Sequence, residues 1–216
     1  MPELVIEVAG QLAAEHQALA AEAGELSRNV EHIKGIVAVQ QSYARTAGVI
    51  ELLPPGELFE DALRMNQSAL LRHQVAVTRD FAEIPRVALD RHKILQILVN
   101  LVANAIHAVT PHRVPQRKIH LRLQVDAAHL RFAVEDTGVG IAPTDLVRIF
   151  SHGFTTRKDG HGFGLHSGAL TARALGGSLQ VRSEGLGHGA CFILELPRPS
   201  TSSPDRPASV PLPHAN

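Results

Sequence analysis

Asp136-Thr137-Gly138-Val139-Gly140, followed at a distance by Gly160-His161-Gly162-Phe163-Gly164-Leu165, is the pair of segments on which the reading of this chain turns. One acidic side chain fixed among glycines can recognise a base edge. A second glycine cluster that opens a helix offers backbone N–H groups and the positive end of the helix dipole, which suit phosphate. Together the two segments predict a nucleotide site.

Working outward, the flanking chain alternates between helix and strand patterns. Pro54-Pro55-Gly56 breaks the chain, Glu57 to Leu71 has helical periodicity, and Gln74 to Asp80 alternates as a strand with Val75 and Val77 on one face. Val87 to Leu89 predicts a short strand, and Asp90 is placed to cap a long apolar helix that Thr110-Pro111 stops near Val109. Ile119 to Val125 and Leu130 to Val134 read as a hairpin, His166 to Leu175 as a helix, and Ser178 to Ser183 and Ala190 to Leu196 as two final strands. Helices on one side of a mainly antiparallel sheet predict an α/β two-layer sandwich over residues 49–197. On the long helix, Asn100 and Asn104 are four residues apart and share a face. An Asn carbonyl is a hard oxygen suited to Mg2+ and its amide can bond phosphate or water, although two such residues can equally be a solvated stripe or a buried hydrogen-bonded pair.

Composition narrows the function classes. At roughly 150 residues per domain, 216 residues suggest one domain with an extension. The formal net charge is zero, so no global basic field recruits nucleic acid. The single cysteine, Cys191, excludes an internal disulfide framework, and its apolar neighbours predict a buried, inert thiol. The sequence shows neither an apolar run approaching ~20 residues nor a basic-then-apolar leader, which predicts no membrane segment in the chain and a cytoplasmic location.

The first 48 residues read differently. Leu12/Leu19/Leu26/Ile33/Gln40 and His16/Ala23/Val30/Val37/Ala44 keep a seven-residue spacing, which predicts a helix with one apolar stripe. Such a stripe needs cover: a helix from a second copy, which makes a homodimer, a helix from another protein, or the chain's own domain. Gly24 and Gly35 weaken an isolated coil. Residues 198–216, rich in Pro and Ser, predict a disordered tail beginning near Pro197.

The ordered set Asn100-Leu101-Val102-Ala103-Asn104-Ala105, Glu135-Asp136-Thr137-Gly138-Val139-Gly140-Ile141, Ile149-Phe150, Gly160-His161-Gly162-Phe163-Gly164-Leu165 and Gly187-His188-Gly189-Ala190 resembles the N, G1, F, G2 and final glycine boxes of bacterial sensor histidine kinases. The match runs roughly from Val49 to Pro197, and the resemblance implies the Bergerat ATP-binding fold, with ATP and Mg2+ as ligands. By the same resemblance, Asp136 accepts from the adenine amino group while Gly138 and Gly140 let the backbone approach the base, and Asn104 is the Mg2+ ligand. Asn100 stands where hydrolytic relatives carry a glutamate base; an amide cannot take a proton from water, so ATP is saved for transfer. Gly160, Phe163 and Leu165, with Gly162 and Gly164, match the phosphate loop, and Ser151 to Gly160 match a mobile lid carrying Thr155, Thr156, Arg157 and Lys158. Arg157 or Lys158 can meet the γ-phosphate or be a solvated loop charge.

The departures carry equal information. The family's basic residue after the second asparagine is replaced by His107, a weaker phosphate partner. No Cys or carboxylate completes a metal-ligand set around His161 and His166. Glu31-His32-Ile33-Lys34 superficially resembles an acceptor box but lacks the following carboxylate and proline, leaving His32 a weak phosphoacceptor candidate. Residues 29–44 and the His166 region resemble a subgroup whose acceptor lies upstream, in a Leu-His-Asn-Val-Gly-Asn box that this sequence does not contain. The activity implied by the resemblance is that of the catalytic part of a histidine kinase that feeds a response-regulator receiver domain. The alternative is an ATP-binding regulatory or truncated module that pairs with a kinase helix.

Overall fold

The computed structural model describes residues 15–16, 22, 50–111, 114–156 and 162–198. Glu15, His16 and Glu22 are helical; the rest of the heptad stripe, His32 and nearly all of the tail lie outside the described residues.

After strand β1 (Ile50–Leu53) come helices α1 (Gly56–Met65) and α2 (Gln67–Arg72), then β2 (Ala76–Phe81) and β3 (Val87–Asp90). Helix α3 (Arg91–Val109) leads to β4 (Lys118–Val125) and β5 (His129–Asp136). A short α4 (Pro143–Leu146), α5 (Gly164–Ala174), β6 (Ser178–Arg182) and β7 (Ala190–Pro197) complete the order. Five strands form one sheet in the order β2-β4-β5-β7-β6, with β2 parallel to β4 and every other neighbour antiparallel, while β1 and β3 make a separate ribbon. α1, α3 and α5 cover one face of the large sheet, which is the expected α/β two-layer sandwich.

Alternation decides which face is covered. Leu130, Phe132 and Val134 on β5, with Ile119, Leu121 and Leu123 on β4 and Phe192, Leu194 and Leu196 on β7, point at the helices and are buried. α3 meets them with Ile94, Ile97, Leu98, Leu101, Val102, Ala105 and Ile106, a wide apolar surface that also serves α1 and α5. Phe59 from α1 stacks on Phe81 at 5.3 Å and meets Phe132 edge-on at 5.5 Å, joining the two layers. Asp90 caps α3 as expected, its Oδ1 accepting from Lys93 N–H at 3.1 Å. The buried Asp61 carboxylate is held by Arg64 and Arg91, which ties α1 to the start of α3.

Several expectations need correction. The helix read from Glu57 to Leu71 is two helices: Asn66 sits between them, and its Nδ2 donates to Ala62 O at 2.9 Å and Val99 O at 3.3 Å. β2 begins at Ala76 because Gln74, at φ 52°, still turns the chain after α2. Cys191 is half-buried on the sheet face opposite the helices, since it alternates with the inward Ala190 and Phe192; burial first, and then the Glu135 carboxylate, pushes its thiol pKa up. Pro197 ends β7, and Arg198 N–H donates to Ala128 O at 2.8 Å, so ordered chain continues past the expected start of the tail. α3 is long and apolar enough to cross a membrane by length and composition, contrary to the sequence reading, yet its apolar residues form the centre of the core.

Candidate nucleotide-binding site

The inward row of β5 runs Leu130, Phe132, Val134 and then Asp136, so strand alternation aims a carboxylate where a hydrophobic side chain would otherwise go. Asp136 is 5 % exposed. Gly138 N–H donates to its Oδ1 at 2.8 Å, and a further bond from the Ala190 N–H also favours the charged form. Burial outweighs both, with a smaller push from Glu135, and the pKa rises to about 6. A polar partner arriving from a ligand restores what burial removes.

The segment after Asp136 is anchored on three sides. Thr137 N–H donates to Lys118 O at 3.1 Å and its hydroxyl to Gln116 O at 2.5 Å. Val139 N–H reaches Ala108 O on α3 at 3.1 Å, while the β6–β7 turn approaches with Gly187 N–H on Val139 O at 2.7 Å and Gly189 N–H on Gly138 O at 3.2 Å. Gly140 turns at φ +71°, and a methyl group there would lie 2.0 Å from Gly185 O. Only glycine meets both demands.

These anchors frame a cavity of about 670 Å³. Asp136, Asn104, Gly140, Thr155 and Thr156 from the sequence reading all line it, as does His107, together with apolar Val139, Ile141, Ile149, Leu186 and Phe192. A pocket of this size with apolar walls and few polar groups suits a small ligand with a flat apolar part. Asn100 lies one turn back along α3 and faces the start of α5, where a methyl at Gly164 would meet its Oδ1 at 2.4 Å. Gly162, Phe163, Gly164 and Leu165 run into α5 outside the cavity lining, and Arg157, Lys158 and Gly160 lie outside the described residues.

The described chain on either side of positions 154–161 comes together. A methyl at Gly162 would lie 2.4 Å from the Gly153 carbonyl carbon, and the His152 ring rests 5.0 Å from Phe163 and edge-on to His166 at 5.2 Å. His166 Nδ1 donates to Phe150 O at 2.9 Å, which fixes its tautomer, because a carbonyl only accepts. Sequence reasoning missed Leu186 and Asp145 in the cavity lining; a leucine set between glycines was the one available signal. A second concavity, about 480 Å³, lies on the opposite sheet face. It is crossed by the pairs Arg122–Glu135 and Arg131–Glu195 and contains none of the expected site residues.

Residues 89–200, more than half of the chain, match the family of histidine kinase-, DNA gyrase B-, and HSP90-like ATPases. The chain belongs to this ATPase family. The histidine-kinase type of the ATPase domain is also what its relatives carry. The sensor histidine kinase ZraS of Escherichia coli (strain K12) is 31 % identical over 162 residues, covering 69 % of this chain and 33 % of that protein. The sensor protein CitS of Halalkalibacterium halodurans is 34 % identical over 106 residues, 49 % of this chain and 20 % of that one. The chain thus spans a third or less of the length of these curated relatives. Among solved structures, full-length ShkA in complex with AMPPNP is similar with a TM-score of 0.65 and 26 % identity, over 82 % of this chain and 38 % of that one. The catalytic domain of the histidine kinase ThkA gives a TM-score of 0.60 and 26 % identity, over 68 % of this chain and 95 % of that one.

Proposed function

We propose that the ATPase domain binds Mg-ATP in the Asp136 cavity and passes the γ-phosphate to a histidine on a partner helix, for relay to a response-regulator aspartate. The observation that carries this reading is Asp136 itself, a buried carboxylate whose two backbone hydrogen bonds do not offset the cost of its burial, set in the lining of a cavity with apolar walls. An acceptor there suits the exocyclic amine of adenine; guanine would present a carbonyl instead.

Asn104 supplies a side-chain oxygen on the same cavity, and Mg2+ is ordinarily held by one or two protein oxygens with phosphate and water completing its shell, so the donor set fits. When bound, the ion neutralises charge on the transferring phosphoryl group. Thr155 and Thr156 line the cavity, and Arg157 and Lys158, next in sequence, are the cations proposed to meet the γ-phosphate. Asn100, against the first turn of α5, has an amide where a water-activating base would be needed, which supports transfer over hydrolysis. The lack of a carboxylate directly after His32 favours, as a second reading, an ATP-binding module that serves a kinase helix in trans. In either case the Leu12–Ala44 stripe pairs with that helix or with a second copy.

Asn104→Ala is expected to weaken Mg-ATP about tenfold while changing the affinity for metal-free ATP much less, as measured by calorimetry with Mg2+ and with EDTA. Equal losses in both titrations would contradict the metal role. Phosphate transfer is tested with radiolabelled ATP. The chain alone is expected to take up little acid-labile label, and adding a helix that carries the Leu-His-Asn-Val-Gly-Asn box restores it, because transfer needs an imidazole held in line with the γ-phosphate. Strong label on the chain alone, lost in His32→Gln, would instead make His32 the acceptor.

A further inference from the structure

We infer that Leu186 is a contact for the adenine ring, the side chain that covers the base once a nucleotide is seated; this rests on reading the cavity as an adenine-nucleotide site. Leu186 belongs to the turn between β6 and β7 and is 67 % exposed. Of the strongly exposed large hydrophobic side chains among the described residues, it alone lines the cavity.

Its position is imposed by both neighbours. Gly187 N–H is bonded to Val139 O at 2.7 Å, and Gly185 O presses on Gly140, so the residue between them is held opposite the Val139-Gly140 peptide. Ser183 braces the turn from below: its hydroxyl donates to Gly189 O at 2.6 Å and accepts from Ile141 N–H at 3.1 Å. An isobutyl group pinned in solvent at a pocket mouth forgoes the burial that would stabilise the fold, and gains it only when an apolar surface arrives. A purine offers such a surface on each face and a polar edge for Asp136, while a triphosphate tail offers none. Val139, Ile141 and Phe192 line the walls, and Leu186 stands at the rim. The ligand class is therefore the adenine nucleotides as a group, with the contribution of Leu186 independent of phosphate number.

Calorimetry on the full chain with ATP and with ADP tests this in Leu186→Ala and Leu186→Met. Leu186→Ala is expected to weaken both nucleotides by the same factor, about fivefold, with the melting temperature unchanged and with Leu186→Met restoring most of the affinity. In methyl-labelled protein, saturation with ADP is expected to shift the Leu186 δ-methyl resonances upfield, through the ring current of the base. Unchanged affinity for both nucleotides, a loss confined to ATP, or methyl resonances that stay in place would each overturn the assignment. Asp136→Asn in the same titrations separates the two possible failures. If that variant binds like the parent, the base lies elsewhere; if it is weakened while Leu186→Ala is not, only the role of Leu186 falls.

Discussion

Asp136→Asn protein is expected to bind ATP ten- to a hundredfold more weakly than the parent while melting no lower. The two effects have one origin. Losing a charge-assisted hydrogen bond costs about 1.5–3 kcal/mol, which is one to two decades of affinity. The same carboxylate is a burden on the unliganded fold, since burial lifts its pKa from 3.8 to about 6. A carboxyl that holds its proton more tightly folded than unfolded contributes most to stability below about pH 4, and that contribution is lost as pH rises through about 6. At neutral pH the folded protein carries a charge it is better without, and the amide removes it. ATP affinity takes the opposite course in the parent: it falls as pH drops through about 6, where the acceptor becomes protonated, and Asp136→Asn loses this dependence. Calorimetry between pH 5 and 8 with parallel thermal melts measures both. A variant that binds ATP as tightly as the parent would remove the base from this carboxylate.

Gly140→Ala is expected to cost about 3 kcal/mol or more and to abolish nucleotide binding along with it. The left-handed backbone alone costs an alanine on the order of 1 kcal/mol. The larger part comes from Gly185 O, 2.0 Å from the added methyl, which belongs to backbone pinned through Gly187 to Val139. Gly153→Ala is the control, because Gly153 has a similar φ of +73° and nothing within 4 Å of an added methyl. Urea midpoints for the two variants separate backbone strain from the close approach. Equal midpoints would mean that the β6–β7 turn can move aside.

Elements with strong local signals were legible in the sequence. The apolar run from Ile94 to Val109 carries its own cap in Asp90 and its own stop in Thr110-Pro111, and β4, β5 and β7 alternate clearly. β1 was missed because Ile50 to Leu53 pairs only with β3 in a small ribbon, and the division of the first helix was missed because it depends on Asn66 reaching Val99 across the core. The position of Cys191 is legible in the alternation of β7, which its apolar neighbours obscure. Asp136, Asn104 and Gly140 were legible through the resemblance that the glycine and asparagine segments carry, and all three line the cavity. Leu186 had only its place between two glycines to mark it, since any apolar side chain satisfies the local chain there and the folded turn is what brings it to the pocket.

The close approach of Gly162 to Gly153 brings the chain back to the point it left, so the described residues that flank positions 154–161 are neighbours in the frame. A change of length between two such neighbouring positions asks little of the elements beside them, since each doubling of a connection adds only about 0.6 kcal/mol of closure entropy. Sequence between these two glycines can therefore be lengthened, shortened or exchanged between related proteins without a change to the strand that carries Asp136.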